Sequence, residues 1–164
     1  MEKVAFGGGC HWCTEAVFAS LEGVHRVEQG WISADHPDAT TFSEAVIVYY
    51  DSARIPLAVL TEIHLYTHRA TSDHAMRRKY RSAIYTFDAA QLAAAEAILR
   101  EKRQLFDKPL ITKVYPFRAF KPNDEKYLRY YEKNRDKPFC TTYIRPKLAL
   151  LLKRYGSYTK PERM

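Results

Sequence analysis

The alternation of apolar and polar residues divides the chain into short strands and amphipathic helices. An apolar run over residues 3–6 stops at three glycines and resumes at helical spacing over residues 13–21, which predicts a strand, a tight turn and a helix. Residues 24–32 alternate in part and residues 44–50 are β-branched and aromatic, so both predict strands. One face of a following helix is predicted to carry Leu57, Leu60, Ile63, His64 and Thr67.

The second half of the chain has similar patterns with more breaks. Residues 81–87 predict a strand, and Asp88 then caps a helix rich in alanine and leucine. Residues 110–115 predict another strand, and residues 116–122, with a proline at each end, predict a loop. The remaining expectations are helices over residues 124–134 and 144–155 and a long active-site loop over residues 68–79.

Length and composition fit one folded domain. A chain of 164 residues with 46% hydrophobic and 13% aromatic content can bury a proper core. Because strands and helices alternate without the regular repeat of a doubly wound sheet, we expect a single domain over residues 1–164 with an α+β fold, a two-layer α/β sandwich. No apolar run approaches ~18 residues and no secretory signal is present, so neither a membrane span nor export is expected.

The net charge and the number of cysteines indicate which binding partners and which cellular compartment to expect. The formal charge of +7 raises the possibility of a nucleic-acid-binding surface, to be tested by salt-dependent binding. No recognisable nucleic-acid motif accompanies the basic residues, so a solvated basic face is favoured over specific binding. The three cysteines are too few for a disulfide scaffold, which indicates a cytoplasmic chain whose thiols carry out redox work.

The chemistry is expected where the glycine turn meets the first helix. Cys10 lies at this junction, where unpaired backbone N–H groups and the helix dipole favour a thiolate. The glycines before it allow another molecule to approach the sulfur closely. We therefore predict a nucleophile, against the alternative of a merely buried cysteine.

Cys13 completes a Cys-x-x-Cys box with Cys10. Two thiols at this spacing can close a disulfide, which also fits a thioredoxin-type oxidoreductase. That fold is disfavoured because it needs a βαβ unit before the box. A zinc site is a further alternative, with Cys140 and a histidine such as His64 or His68 as additional ligands. A metal-bound Cys10 could not act as a nucleophile, so no metal is expected.

The segment Gly-Gly-Gly-Cys-His-Trp-Cys-Thr-Glu at residues 7–15 resembles the active-site motif of the A-type peptide methionine sulfoxide reductases, Gly-Cys-Phe-Trp-Gly/Cys-x-Glu. The resemblance covers most of residues 3–150 and is specific at Lys-Tyr-Arg-Ser-Ala-Ile-Tyr, residues 79–85. It implies a ferredoxin-like α/β sandwich with extra C-terminal helical segments. It also implies reduction of methionine S-sulfoxide, free or in proteins, without a cofactor and with thioredoxin or a similar dithiol as external reductant.

The resemblance also implies roles for individual residues. Cys10 would attack the sulfoxide sulfur and become a sulfenic acid. Glu15 would supply the proton, with a pKa raised by desolvation beside Trp12 and Phe6, although an ordinary first-turn glutamate is the alternative. Tyr80 would hydrogen-bond the sulfoxide oxygen.

Resolution of the sulfenic acid is assigned first to Cys13, with Cys140 as the competitor. Trp12 and His11 would line the pocket for the S-methyl group, with His11 in the place where the family usually has phenylalanine. Trp31 stands where the family's oxygen-binding tyrosine is expected. The family's His-Asp-Pro reads His-Leu-Tyr here, at residues 64–66. These differences also allow a related reductase with lower activity or a changed substrate.

Overall fold

The computed structural model describes residues 1–164, except for the side chains of residues 75 and 78. Its five strands are β1 (Glu2–Gly7), β2 (Val24–Ala34), β3 (Ser43–Tyr50), β4 (Ala83–Thr86) and β5 (Lys113–Pro122). Its α-helices are α1 (His11–Ala19), α2 (Leu57–Thr67), α3 (Ala89–Lys102), α4 (Tyr130–Lys133) and α5 (Arg145–Tyr155). Within the described part of the chain, no helix has both the length and the apolar character needed to cross a bilayer.

The strands form a closed barrel in the order β1-β3-β2-β5-β4. β4 pairs with β1 and completes the ring, and every pairing is antiparallel except that of β4 with β5. The expectation of a ferredoxin-like two-layer sandwich is therefore wrong. A two-layer sandwich would leave both edges of the sheet unpaired. Here one strand pairs with β2 and with β4 and so closes the sheet, and the sequence pattern predicted the wrong bounds for this strand.

That strand is β5, and the predicted loop over residues 116–122 belongs to it. Residues 113–116 run parallel to β4, and residues 117–122 run antiparallel to β2. Pro116 and Pro122 lie at the ends of these two ladders. A proline costs little at such a position because no ladder hydrogen bond needs its missing N–H. The change of partner at Pro116 joins the two edges of the sheet.

The core has two parts because successive strand residues point to opposite faces. One cluster is rich in small residues, among them Ala5, Ala45 and Ala83. The other holds larger side chains such as Phe6 and Val46, which pack with residues of α1 and α2. The strands therefore bury both faces, and α1 lies on one of them.

The C-terminal segments pack against the helix that follows the glycine turn. Lys160 N–H donates to the carbonyl of Ser20 at 2.7 Å, and Glu22 N–H donates to that of Tyr158 at 2.6 Å. The predicted helix over residues 124–134 is broken into a 3-10 turn at Glu125–Tyr127 and the short α4, because Arg129 between them adopts a left-handed conformation (φ 54°). The chain's last residues thus hold the C-terminal end of α1.

Candidate active site

The turn between β1 and α1 is shaped by two histidines. His64 Nε2 lies 2.7 Å from the carbonyl oxygen of Gly7. Any side chain at Gly8 would overlap with the ring of His68, so this close approach requires glycine. A side chain at Gly9 would meet no atom within 4 Å, so this residue borders open space. Solvent can therefore reach the cysteine that follows.

That cysteine caps the N-terminus of α1. The backbone N–H groups of Cys13 and Thr14 donate to the carbonyl of Cys10 at 3.1 and 3.2 Å. The Cys10 side chain itself makes no capping hydrogen bond. The half-buried sulfur thus lies at the positive end of the helix dipole.

The surroundings of Cys10 favour its thiolate. The pKa of Cys10 is lowered to about 5, chiefly by a hydrogen bond from the Cys13 thiol and further by His11 and the Trp12 N–H, against the opposing effect of burial. The same interaction raises the pKa of Cys13, which therefore remains a thiol and a donor. The two cysteines consequently divide the roles of nucleophile and proton-bearing neighbour.

Alkylation of Cys10 by iodoacetamide should accelerate with pH through an inflection near 5 and level off above it. The thiolate is the reacting form, and a thiol with an ordinary pKa of about 8.5 would keep gaining reactivity to higher pH. Peptide mapping by mass spectrometry after alkylation at a series of pH values gives the rate at this residue. In a Cys13→Ala control the inflection should rise, and an inflection that stays in place would show that the neighbouring thiol does not set the pKa.

An acidic residue that the sequence analysis did not single out lies beside this sulfur. Glu44 is the second residue of β3 and is buried, and its Oε1 accepts a hydrogen bond from the backbone N–H of His11 at 3.2 Å. Ring nitrogen Nδ1 of His11 is 3.1 Å from the same oxygen, and Lys79 Nζ is 3.6 Å from Oε2. Ligating atoms of Cys10, His11 and Glu44 all lie within 4.8 Å of one another. The carboxyl group is thus next to the nucleophile.

Burial raises the pKa of Glu44, and the negative charge of Cys10 adds to this, while His11 and Lys79 oppose it. A carboxyl group whose pKa is raised holds its proton to higher pH and can give it up to a reacting oxygen. One signal for this residue was present in the sequence: Glu44 is the acidic residue at the start of a strand that is otherwise apolar and aromatic over residues 45–50.

Glu15, the predicted proton donor, has different neighbours. Its oxygens accept hydrogen bonds from Gln29 Nε2 at 2.9 Å and from the backbone N–H groups of Arg129 and Tyr130 at 3.1 and 3.4 Å. Burial raises its pKa as expected. Five residues along a helix correspond to about 140° around its axis, so Glu15 points away from the side that holds Cys10. Its role as the acid remains a prediction that these contacts do not support.

A family model described as "Peptide methionine sulfoxide reductase" matches residues 2–159. The chain belongs to this family. The peptide methionine sulfoxide reductase MsrA of Chromobacterium violaceum is 34% identical over 171 residues, which cover 95% of this chain and 97% of that relative.

Solved structures show the same fold. Methionine sulfoxide reductase A of Corynebacterium diphtheriae has a TM-score of 0.71 at 22% identity, covering 82% of this chain and 75% of its own. Mxr1 from Saccharomyces cerevisiae in complex with Trx2 has a TM-score of 0.59 at 20% identity, covering 79% and 84%. Membership of the family confirms the resemblance drawn from the sequence and identifies the chain as a thiol-dependent enzyme that reduces methionine sulfoxide.

Aromatic side chains surround Trp12 in this reductase. Tyr130 stacks on the Trp12 ring at 3.9 Å with planes 2° apart, and Phe139 meets it edge-on at 5.5 Å. His11 packs edge-on against Trp31 at 5.2 Å. The structure therefore places His11, Trp12 and Trp31 around the start of α1. Tyr130 and Phe139 are additional aromatic neighbours that the sequence analysis did not identify.

The contacts of Phe6 and Tyr80 relate these two residues to the site only indirectly. Phe6 is fully buried and stacks on Phe18 at 4.7 Å, so it supports the site from the core and does not line an accessible pocket. Tyr80 is linked to the site through Lys79, whose Nζ lies 5.2 Å from the centre of the tyrosine ring and 3.6 Å from Glu44 Oε2. Its proposed hydrogen bond to the sulfoxide oxygen stays a prediction.

The remaining sulfur and the two histidines occupy the interior. Cys140 is fully buried and shares a core cluster with Cys13. His64 and His68 face away from these sulfurs, since His68 Nε2 lies 2.7 Å from Ser82 Oγ and His64 binds the Gly7 carbonyl. Burial lowers the pKa of both rings, that of His64 to about 3. These contacts give no support to a zinc site built on either histidine.

Proposed function

We propose that the chain reduces the S epimer of methionine sulfoxide by attack of the Cys10 thiolate on the sulfoxide sulfur. The observation that carries this proposal is the placement of a lowered-pKa sulfur, at a helix N-terminus, beside the buried carboxyl group of Glu44. A sulfoxide oxygen leaves only when it is protonated, so an acid must stand next to the nucleophile. Glu44 meets this requirement better than Glu15 does.

The first step forms a bond between the Cys10 sulfur and the substrate sulfur while Glu44 donates its proton to the oxygen. The oxygen then passes to Cys10 as a sulfenic acid, and the thioether is released. The cysteine sulfur is oxidised by two electrons and the sulfoxide sulfur is reduced by two. Cys13 and the dipole of α1 stabilise the thiolate before the attack.

His11, Trp12 and Trp31 are proposed to form the walls around the methyl group of the substrate. A methyl group on sulfur packs favourably on an aromatic face. The imidazole of His11 offers a flat surface but also a polar one, which suits the sulfoxide end of the substrate. Tyr80 is proposed to hydrogen-bond the sulfoxide oxygen from the side of Lys79.

Cys13 is proposed to resolve the sulfenic acid. Cys13 lies in the first turn of α1, close enough to Cys10 to lower the pKa of that thiol, so displacement of water from the sulfenic acid needs only local movement. The Cys10–Cys13 disulfide would then be reduced by an external dithiol. Cys140 is the alternative, because it shares a core cluster with Cys13, but its sulfur is fully buried.

A Cys13→Ser variant should produce about one methionine per enzyme and then stop when thioredoxin is the only reductant. Without the neighbouring thiol, the sulfenic acid has no partner in reach. Rapid-quench measurement of methionine, followed by mass spectrometry of the oxidised cysteine, checks the result. A Cys140→Ser control should recycle normally, and the reverse pattern would assign resolution to Cys140.

Thioredoxin is proposed as the reductant, and no bound cofactor is needed for the steps above. Support comes from the structural similarity to Mxr1, which was solved in complex with Trx2. We further propose that residues 1–164 act as one catalytic domain in the cytoplasm, where free cysteines stay reduced. A Cys-x-x-Cys disulfide oxidoreductase is the competing function, and assays of insulin reduction beside methionine sulfoxide reduction distinguish the two.

A further inference from the structure

Three side chains at the start of α1 carry three different kinds of metal-binding atom. The sulfur of Cys10, a ring nitrogen of His11 and a carboxylate oxygen of Glu44 lie within 4.8 Å of one another. His11 and Glu44 are buried, and Cys10 is half-buried next to open space at Gly9. Sulfur, imidazole nitrogen and carboxylate oxygen are the donors that zinc binds in proteins.

His11 supplies an independent indication of a ligand. Its Nδ1 is buried and lies 3.1 Å from Glu44 Oε1, but among the described residues no hydrogen bond of acceptable geometry satisfies it. Buried polar atoms are nearly always paired, so such an atom calls for an explanation. The side chain is only 7% exposed, and Asn123 Nδ2 lies 3.4 Å from the other ring nitrogen. The unpaired nitrogen is thus held beside the sulfur and the carboxyl group.

The distances fit a zinc ion after a small adjustment. Donor atoms around tetrahedral zinc are about 3.5 Å apart, given bonds of about 2.0–2.3 Å. The nitrogen and oxygen are already 3.1 Å apart. Rotation of the Cys10 side chain can bring the sulfur in by the ~1 Å that remains. The exposed Lys79 ammonium, 3.6 Å from Glu44 Oε2, can swing into solvent when the cation enters.

We propose that Cys10, His11 and Glu44 bind one Zn²⁺ ion reversibly in the reduced enzyme, and that this ion blocks the nucleophile. A water molecule would complete the tetrahedral set, since the chain leaves open space at Gly9, the residue before Cys10. Zinc is preferred over Mg²⁺ and Ca²⁺ because the set contains a thiolate and an imidazole. The metal binds through donors already present and involves no change of oxidation state.

Titration of the reduced full-length chain with ZnCl₂ against a chromophoric chelator tests this. We expect one ion per chain and no binding of Mg²⁺. A His11→Phe variant should bind zinc more than about tenfold more weakly, since loss of an outer-sphere partner alone costs 10–100-fold. Phenylalanine is the flat, non-ligating residue of the family motif. His25→Phe, at an exposed position, is the matched control and should bind as the unchanged chain does.

A second measurement distinguishes the loss of a zinc ligand from misfolding of the His11→Phe variant. Zinc should slow alkylation of Cys10 by iodoacetamide in the unchanged chain, and Glu44→Gln should lose this protection as His11→Phe does. Equal zinc affinity in His11→Phe and the unchanged chain would place the ion on Cys10 and Cys13 alone and overturn the proposal, as would the absence of binding. The titration contains no sulfoxide, so its outcome is independent of the catalytic proposal.

Discussion

Replacing Cys10 with serine should lower the rate of methionine sulfoxide reduction by more than about 10³-fold. A serine hydroxyl keeps its proton at any working pH, so the groups that favour the Cys10 thiolate no longer have an anion to stabilise. The measurement is methionine formed in a single turnover with excess enzyme, followed by chromatography. This design isolates the chemical step from recycling.

The same single-turnover assay, applied to the other two cysteines, provides the controls for Cys10→Ser. Serine at Cys13 or at Cys140 removes a sulfur of the same kind but should leave the first turnover measurable, because neither forms the bond to the substrate. Circular dichroism shows whether each variant is folded. A Cys10→Ser protein that is folded and still forms methionine at a comparable rate would remove the nucleophile from the proposed mechanism.

Replacing Glu44 with glutamine should slow the same single turnover by about 10²–10⁴-fold. The amide keeps the size and the hydrogen bond to the His11 N–H, but it cannot donate a proton to the sulfoxide oxygen. In the unchanged enzyme the rate should fall as pH rises through the pKa of Glu44, which burial places above its ordinary value. Above that pH the Glu44 carboxyl group has lost its proton. The Glu44→Gln variant should not show this decrease of the rate with pH.

Glu15→Gln is the matched comparison, since both carboxyl groups are buried and both have raised pKa values. We expect it to slow the reaction far less, because Glu15 is bonded to Gln29 and to backbone N–H groups. If Glu15→Gln instead proves the slower variant and Glu44→Gln reacts normally, the sequence-based assignment is right. The roles proposed for the two glutamates would then be exchanged.

Local patterns predicted the individual elements better than their arrangement. β3 and α2 follow from runs that fit one periodicity, and Asp88 does cap α3 through its bond to the Gln91 N–H. Only the first part of β5 lies within the predicted strand over residues 110–115, because prolines normally end a strand and nothing local shows that Pro116 lies where the strand changes partners. Barrel closure is set by that long-range pairing, which residue-by-residue patterns do not encode.

The site was predictable where its residues are adjacent in sequence. Cys10 and Cys13 follow from the glycine turn and the start of a helix, and the structure places them as expected. Glu44 joins them only because β3 pairs with β1 and brings its first residues beside the glycine turn, Ala45 opposite Gly7. Position along α1 made Glu15 the nearer candidate, but helical rotation directs it elsewhere. Contacts that arise from strand pairing need the register, which the sequence alone did not supply.

The fastening of α1 by the C-terminal residues has a mechanical consequence. Lys160 and Tyr158 bind the backbone just beyond the helix, at Ser20 and Glu22, whereas the opposite end begins in a glycine hinge. In the proposed cycle Cys10 and Cys13 join and part, and we expect the anchored end of α1 to act as a fixed point. The displacement should then be confined to the opening turn of the helix, with the barrel beneath it undisturbed.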